Sequence, residues 1–322
     1  MQHLLQQPGD RGYPAEYLLT RIRGRRSRLI SDWRPLVFEA AVQDFLSSSR
    51  YQGFVRERSA EGIWRNLLRE YRWVYTQMNG KLRELFAPYF LYNELRTLFI
   101  CLRHVREKHA GRAADLLELS LLSDAIKRVL TLSPDAAAAV GGIEQAFCSL
   151  SGRFSGLTKS LDEGGLRAVE QKLTNTYLSI VMDARLHPIM KSFFARLIDS
   201  RNILSMYKSM RQEQGRHPAF LPGGAMPEVR LREIIAKEDL FGICSLVREF
   251  SGIKIDAPDP TKVEIALYKG ITRYLKKEGR EPFGIGPILD YLWRCSLEVT
   301  NLSILFAGKD IERDLVTAEL VQ

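Results

Sequence analysis

The sequence is short of cysteine, of histidine and of long apolar runs, and each shortage removes a class of protein. Its four cysteines, Cys101, Cys148, Cys244 and Cys295, stand far apart, so no CxxC pair exists to hold zinc or exchange disulfides. Cys101, Cys148 and Cys244 lie in apolar surroundings and are expected to be buried, inert thiols. The five histidines are scattered. His104 and His109 are five residues apart and are expected to point to different sides of a helix, which argues against a metal site. GxxxxGK[ST], HExxH and GxSxG are missing, and Gly284-x-Gly286 neither follows a strand nor completes GxGxxG. No catalytic residue, cofactor or metal ligand is therefore assigned.

No apolar stretch reaches the length of a bilayer span, and Met1 to Gly12 lacks the apolar core of a signal peptide. A soluble, cytosolic chain is expected, free to sit on a membrane protein. Period-two alternation is absent as well, so the fold is expected to be nearly all α. With 322 residues, 45% of them hydrophobic, the chain can build one large core or two to three smaller ones.

What the sequence has in excess is positive charge. Lys and Arg number 47 against 38 Asp and Glu, a formal net charge of +9, which favours nucleic acid, anionic lipid or an acidic protein as partner. The densest cluster is Arg21-Ile-Arg23-Gly-Arg25-Arg26-Ser-Arg28, set in a helix that Pro14 opens and that is expected to run to about Trp33. Arg25 falls close to the apolar stripe of Leu18, Ile22 and Leu29, with Arg21 and Arg28 flanking it. Long Arg stems of this kind snorkel to solvent, pair with carboxylates of the fold or meet an anionic partner. Arg21, Arg23, Arg25 and Arg28 are the candidate interface.

The last long helical pattern begins at Pro287 and runs on to Ala307-Gly308. Leu289, Leu292, Trp293, Ser296, Val299 and Phe306 form one stripe; Tyr291, Arg294, Glu298 and Asn301 form a second. Gly308 is expected to end this helix in the left-handed conformation, with Asp310 capping the next. The core pattern Trp293-x4-Glu298-x2-Asn301-Leu302-x2-Leu305-Phe306 recurs as Phe194-x4-Asp199-x2-Asn202-Ile203-x2-Met206-Tyr207. It recurs again as Tyr89-x4-Glu94-x2-Thr97-Leu98-x2-Cys101-Leu102, with Thr in place of Asn. The acids at 94, 199 and 298 stand 105 and 99 residues apart, too far for a solenoid unit and suited to three homologous lobes. Residues 1–110, 111–215 and 216–322 are the expected lobes, the second boundary falling at the Gly- and Pro-rich stretch 215–227. Glu94, Asp199, Asn202, Glu298 and Asn301 either fix the register of packed helices through hydrogen bonds, with Arg294 and Arg196 as nearby partners for Glu298 and Asp199, or line a common axis.

Other helices are expected over 61–78, closed by Asn79-Gly80 at positive φ, and over 113–132. A further start is expected at Ser133-Pro134, then helices over 165–182, 228–236, 239–250 and 263–275. A helix over 36–46 with a turn at Ser47-Ser48-Ser49 completes the reading.

The C-terminal stretch LEVTNLSILFAGKDIERDLV resembles the signature of the family formed by the C subunits of V-type and A-type rotary ATPases, which in eukaryotes is the d subunit. The positions that carry it are Glu298, Asn301, Leu302, Ile304, Gly308, Lys309 and Ile311 to Val316. Tyr17 to Leu29 is similar to that family's opening helix at Arg21, Arg23, Arg26, Ser27 and Leu29. Departures are Thr97 in place of Asn, the extra Arg25 and the glycine-rich loop near Gly223. The resemblance implies a funnel-shaped, all-helical, non-catalytic adaptor of pseudo-threefold symmetry. It would join the central shaft to the membrane proteolipid ring at its cytoplasmic face, binding neither nucleotide nor nucleic acid, with contact to lipid headgroups open to it. Torque for coupled H⁺ or Na⁺ transport would pass through it. The competing reading from another class is a basic helical nucleic-acid-binding protein using the Arg21 to Arg28 helix, although neither a binding module nor stacking aromatics accompany that cluster.

Overall fold

The computed structural model describes residues 1–38, 60–211, 218–308 and 311–321. Among them the structure is helical and contains no strand, only one antiparallel bridge, Leu5 to Leu122. Two compact units divide the chain in an interleaved way. One holds Met1–Leu18 and Leu67–Leu186, the other Leu19–Asn66 and His187–Gln322.

The first unit is built on α4 (Gly80–Arg106), which follows α1 (Ala15–Arg26), α2 (Arg34–Phe38) and α3 (Ala60–Gln77) in the chain. Asn79 starts α4 by accepting the Leu82 N–H at 3.0 Å on its side chain, at φ −73°. The Asn-Gly pair thus caps the next helix instead of closing the last one in a positive-φ turn. The expected helix over 113–132 is two, α5 (Ala110–Leu119) and α6 (Asp124–Leu132), because Ser120 and Leu121 are drawn out of helical bonding by α4. The next start also differs from the expected Ser133. Asp135 caps α7 (Ala136–Cys148), accepting from Ala138 N at 2.8 Å, and a carboxylate is favoured there by the helix dipole. In α8 (Leu157–Asp183) Gly164 and Gly165 leave helical geometry and make a kink, Gly165 at φ 66° and ψ −165°, a backbone suited to glycine. Leu98, Leu116, Ile126, Val140, Phe147, Val169 and Leu173 fill the core between these helices.

The second unit centres on α13 (Gly286–Ala307), which packs on α12 (Pro260–Glu278). Around them lie α9 (Pro188–Arg211), α10 (Glu228–Ala236), α11 (Leu240–Ser251) and α14 (Arg313–Glu319). Asp239 and Asp259 cap α11 and α12 at 2.8 and 3.0 Å. α13 is buried on both of its stripes, Tyr291, Glu298 and Asn301 included, as a central helix is and a surface one is not. Trp293 fixes its register: the indole N–H donates to Thr272 Oγ1 at 2.9 Å, and the ring stacks on Tyr268 and meets Phe193 edge-on.

Three further expectations are corrected. α1 ends at Arg26, seven residues before Trp33. Gly308 has φ −88°, so its role is not left-handed freedom. A Cβ there would stand 2.9 Å from Val316 Cγ2 and 3.0 Å from the Ile304 carbonyl oxygen, and glycine lets α14 close on the end of α13. Cys148 and Cys244 are half-buried, whereas Cys101 and Cys295 are buried. The expected 47–49 turn and the Asp310 cap lie outside the described residues.

Candidate functional site

The three repeated acids are nearly inaccessible, with Glu94 1%, Asp199 2% and Glu298 3% exposed. Each is used the same way, as an acceptor for backbone that has left a helix. Glu94 on α4 takes the Leu121 N–H at 2.6 Å and the Ser120 hydroxyl at 2.7 Å, 27 and 26 residues downstream. Asp199 on α9 takes Met226 N at 3.0 Å and Ala225 N at 3.1 Å, again 27 and 26 residues on. Glu298 on α13 lies near the end of the chain, and its Oε2 accepts instead from Ile30 N at 2.7 Å.

The amide one turn later adds a second clamp. Asn202 donates from Nδ2 to the Leu221 carbonyl at 2.9 Å and accepts from Leu221 N at 2.8 Å. Asn301 does the same to Val321 at 2.9 and 3.0 Å. Only a primary amide offers donor and acceptor at this spacing, so Thr97 cannot repeat it. The stretch 215–227, read from sequence as a linker, is therefore tied to α9 at Leu221 and at Ala225 and Met226. Gly224 makes this possible, because a Cβ there would run into the Asp199 carboxylate.

Burial pushes the carboxyl of Glu94 above the ordinary range, against the pull of the Leu121 N–H and the Ser120 hydroxyl. Asp199 is raised for the same reason, opposed by Met226 N, Ala225 N and the charge of Arg196. The Arg196 guanidinium itself lies over the rings of Tyr274 and Phe250, 4.7 and 5.6 Å from their centroids. Arg294 is engaged by Asp290, to which its Nε donates at 3.0 Å.

On the arginine cluster, Arg21, Arg23 and Arg28 are exposed and Arg25 is half-buried. Arg23 Nη2 donates to the Pro282 carbonyl at 2.9 Å, and Arg28 lies beyond the end of α1. Arg26, named above for the family resemblance and left out of the candidate interface, has a role inside the fold. Arg26 pairs with Asp290 at 2.6 Å, and Asp290 is fully buried on α13. An acid in the first turns of an apolar central helix needs a cation, and that was the signal available.

His104 and His109 are brought to one corner and not to different sides. α4 stops at Arg106, Lys108 takes the left-handed conformation at φ 60°, and the His109 N–H returns to the His104 carbonyl at 2.8 Å. With Glu107 their ligand atoms lie within 4.8 Å of one another, the metal-compatible group among the described residues. The neighbouring Arg106 and Lys108 add positive charge that works against a cation.

Across residues 18–315 the chain matches the family model of the ATP synthase (C/AC39) subunit. It belongs to that family. The C subunit of the A-type ATP synthase of Methanosarcina mazei is 22% identical over 336 residues, covering 95% of this chain and 92% of that protein. The protein of the same name from Methanocaldococcus jannaschii is 23% identical over 145 residues, 41% of this chain and 36% of that one. The family match spans α4, α9 and α13, the helices that carry the three clamps. Among the described residues no helix is long and apolar enough to cross a membrane.

Proposed function

We propose that this member of the family is the non-catalytic central-stalk adaptor of a V/A-type rotary ATPase, seated at the cytoplasmic face of the membrane. It joins the shaft subunits to the membrane proteolipid ring and passes torque between them during coupled H⁺ or Na⁺ transport and ATP hydrolysis or synthesis. The family match over 18–315 carries the reading. A torque coupler has to be stiff, and the clamps at Glu94, Asp199 and Glu298 support that by tying loops to packed helices. The same repetition is the ground for three homologous lobes, 1–110, 111–215 and 216–322, in a pseudo-threefold funnel. Arg21, Arg23, Arg25 and Arg28 are proposed to face an acidic partner surface or lipid headgroups, in keeping with the net charge of +9.

The test is native mass spectrometry of what co-purifies with the tagged chain from gently solubilised membranes. Recovery of shaft subunits together with a proteolipid ring is expected. Recovery of the chain alone, or carrying nucleic acid, overturns the assignment. Charge reversal at Arg21 and Arg25 is expected to weaken ring binding and flatten its salt dependence; binding unchanged in both respects removes the arginines from the interface.

A further inference from the structure

A recess of about 460 Å³ opens in the second unit, between α12, α13 and the segment that follows α1. Its charge is one-sided. Lys269, Arg273, Lys276 and Arg294 line it, against the single carboxylate of Glu298. Lys269, Arg273 and Lys276 are four and three residues apart on α12, hence on one face of that helix. Glu298, whose Oε2 accepts from Ile30 N, brings one negative charge against these four positive ones.

The two guanidinium groups are held from behind. Arg273 Nη1 donates to the Ser251 carbonyl, and the end of α11 is shaped for it: Gly252 has φ 69°, and a Cβ there would collide with Arg273 Nη1. Arg294 is fixed through Nε to Asp290 at 3.0 Å. Lys269 and Lys276 make neither an ion pair nor a hydrogen bond among the described residues. Oriented guanidinium groups beside uncommitted ammonium groups are what a phosphoryl group selects, the first for bidentate contact and the second as point charges. The recess is many times the roughly 30 Å³ share of one water, so it has room for more than a bare phosphate ion.

We propose that this recess binds a ligand bearing a phosphoryl group with at least two negative charges. Two sources share that chemistry, a lipid headgroup and a soluble phosphate ester or polyphosphate. The site is independent of the arginine cluster on α1, and of whether the shaft and ring are the chain's partners.

The experiment uses the full chain, two phosphoryl probes and a Glu-rich peptide as a competing acidic probe. Pyrophosphate is titrated calorimetrically, and flotation is measured on vesicles of phosphatidylcholine mixed with a phosphatidylinositol monophosphate, whose headgroup carries a phosphomonoester. The variants are the double substitution Lys269→Gln/Lys276→Gln, its conservative counterpart Lys269→Arg/Lys276→Arg, and Lys277→Gln, an exposed neighbour outside the recess. Saturable pyrophosphate binding, weakened at least about tenfold in the Gln double variant and kept in the other two, is the expected result. If the vesicles float the protein, pyrophosphate displaces it and the Gln double variant abolishes flotation, the ligand is a headgroup; pyrophosphate binding without flotation assigns a soluble ligand. The proposal fails if the Gln double variant binds like the wild type, if neither probe binds, or if a Glu-rich peptide saturates the recess while pyrophosphate does not. Circular dichroism establishes that each variant is folded.

Discussion

Asn301 holds Val321 by both edges of its amide, donating to the carbonyl at 2.9 Å and accepting from the N–H at 3.0 Å, 20 residues further along. Both side chains are buried. Asn301→Ala leaves a donor and an acceptor of the backbone without partners, so a loss of about 2–4 kcal/mol is expected in urea denaturation. Asn301→Asp keeps the acceptor only and is expected to be at least as damaging near neutral pH, because it also buries a charge. An Ala variant within about 0.5 kcal/mol of wild type shows that the clamp is dispensable.

The buried carboxyls predict an unusual pH dependence. Glu94 and Asp199 are both raised in the folded chain. Between the ordinary carboxylate range and the raised folded value, the native state holds more protons than the unfolded one. Stability contributed by these groups therefore falls as pH rises through that window and is level above it. Glu94→Gln keeps the shape and removes one such titration. Its stability relative to wild type is expected to improve as pH rises through the window, measured by urea midpoints at several pH values. An unchanged difference across the series contradicts the raised state of Glu94.

Arg26 and Asp290 make the third test. Asp290 is fully buried and keeps Arg294 when Arg26 is lost, so Arg26→Gln is expected to cost about 2–3 kcal/mol, less than the full penalty of an unpaired buried charge. In a double-mutant cycle Asp290→Asn is expected to absorb most of that effect. Arg28→Gln, at an exposed position, is expected to stay within about 0.5 kcal/mol of wild type.

Gly308 separates two reasons for a glycine. At φ −88° it needs no left-handed freedom, but its missing Cβ makes room for Val316. Gly308→Ala is expected to destabilise by about 1–3 kcal/mol through overpacking. Gly308→Asn, which tolerates left-handed φ, is expected to be no better. Rescue by Asn alone restores the conformational explanation.

The helical character and the three acid-bearing helices were legible because they rest on spacing within a few turns. What the acids hold was not. Leu121 and Met226 lie 27 residues from their acceptors and Ile30 lies 268 from Glu298, and hydrophobic period says nothing across such distances. The pairing of Arg26 with Asp290 was not legible because it depends on the burial of Asp290, a property of packing. Likewise Ser133 and Asp135 are both acceptable caps by type, and only the path taken by the chain after Pro134 decides for the second.

The bond from Ile30 to Glu298 also bears on how the chain is made. Residues 19–66 emerge from the ribosome long before α13, with all of 67–186 synthesised in between. The first unit can complete its Glu94 clamp once residue 121 is out, whereas the arginine-rich start of the second waits for almost the whole chain. Such non-local closure is slow to nucleate and leaves an unfinished surface exposed during translation. A nascent chain stalled before α13 would therefore present a folded first half and an unsatisfied, strongly basic segment, the natural target of a chaperone or a protease.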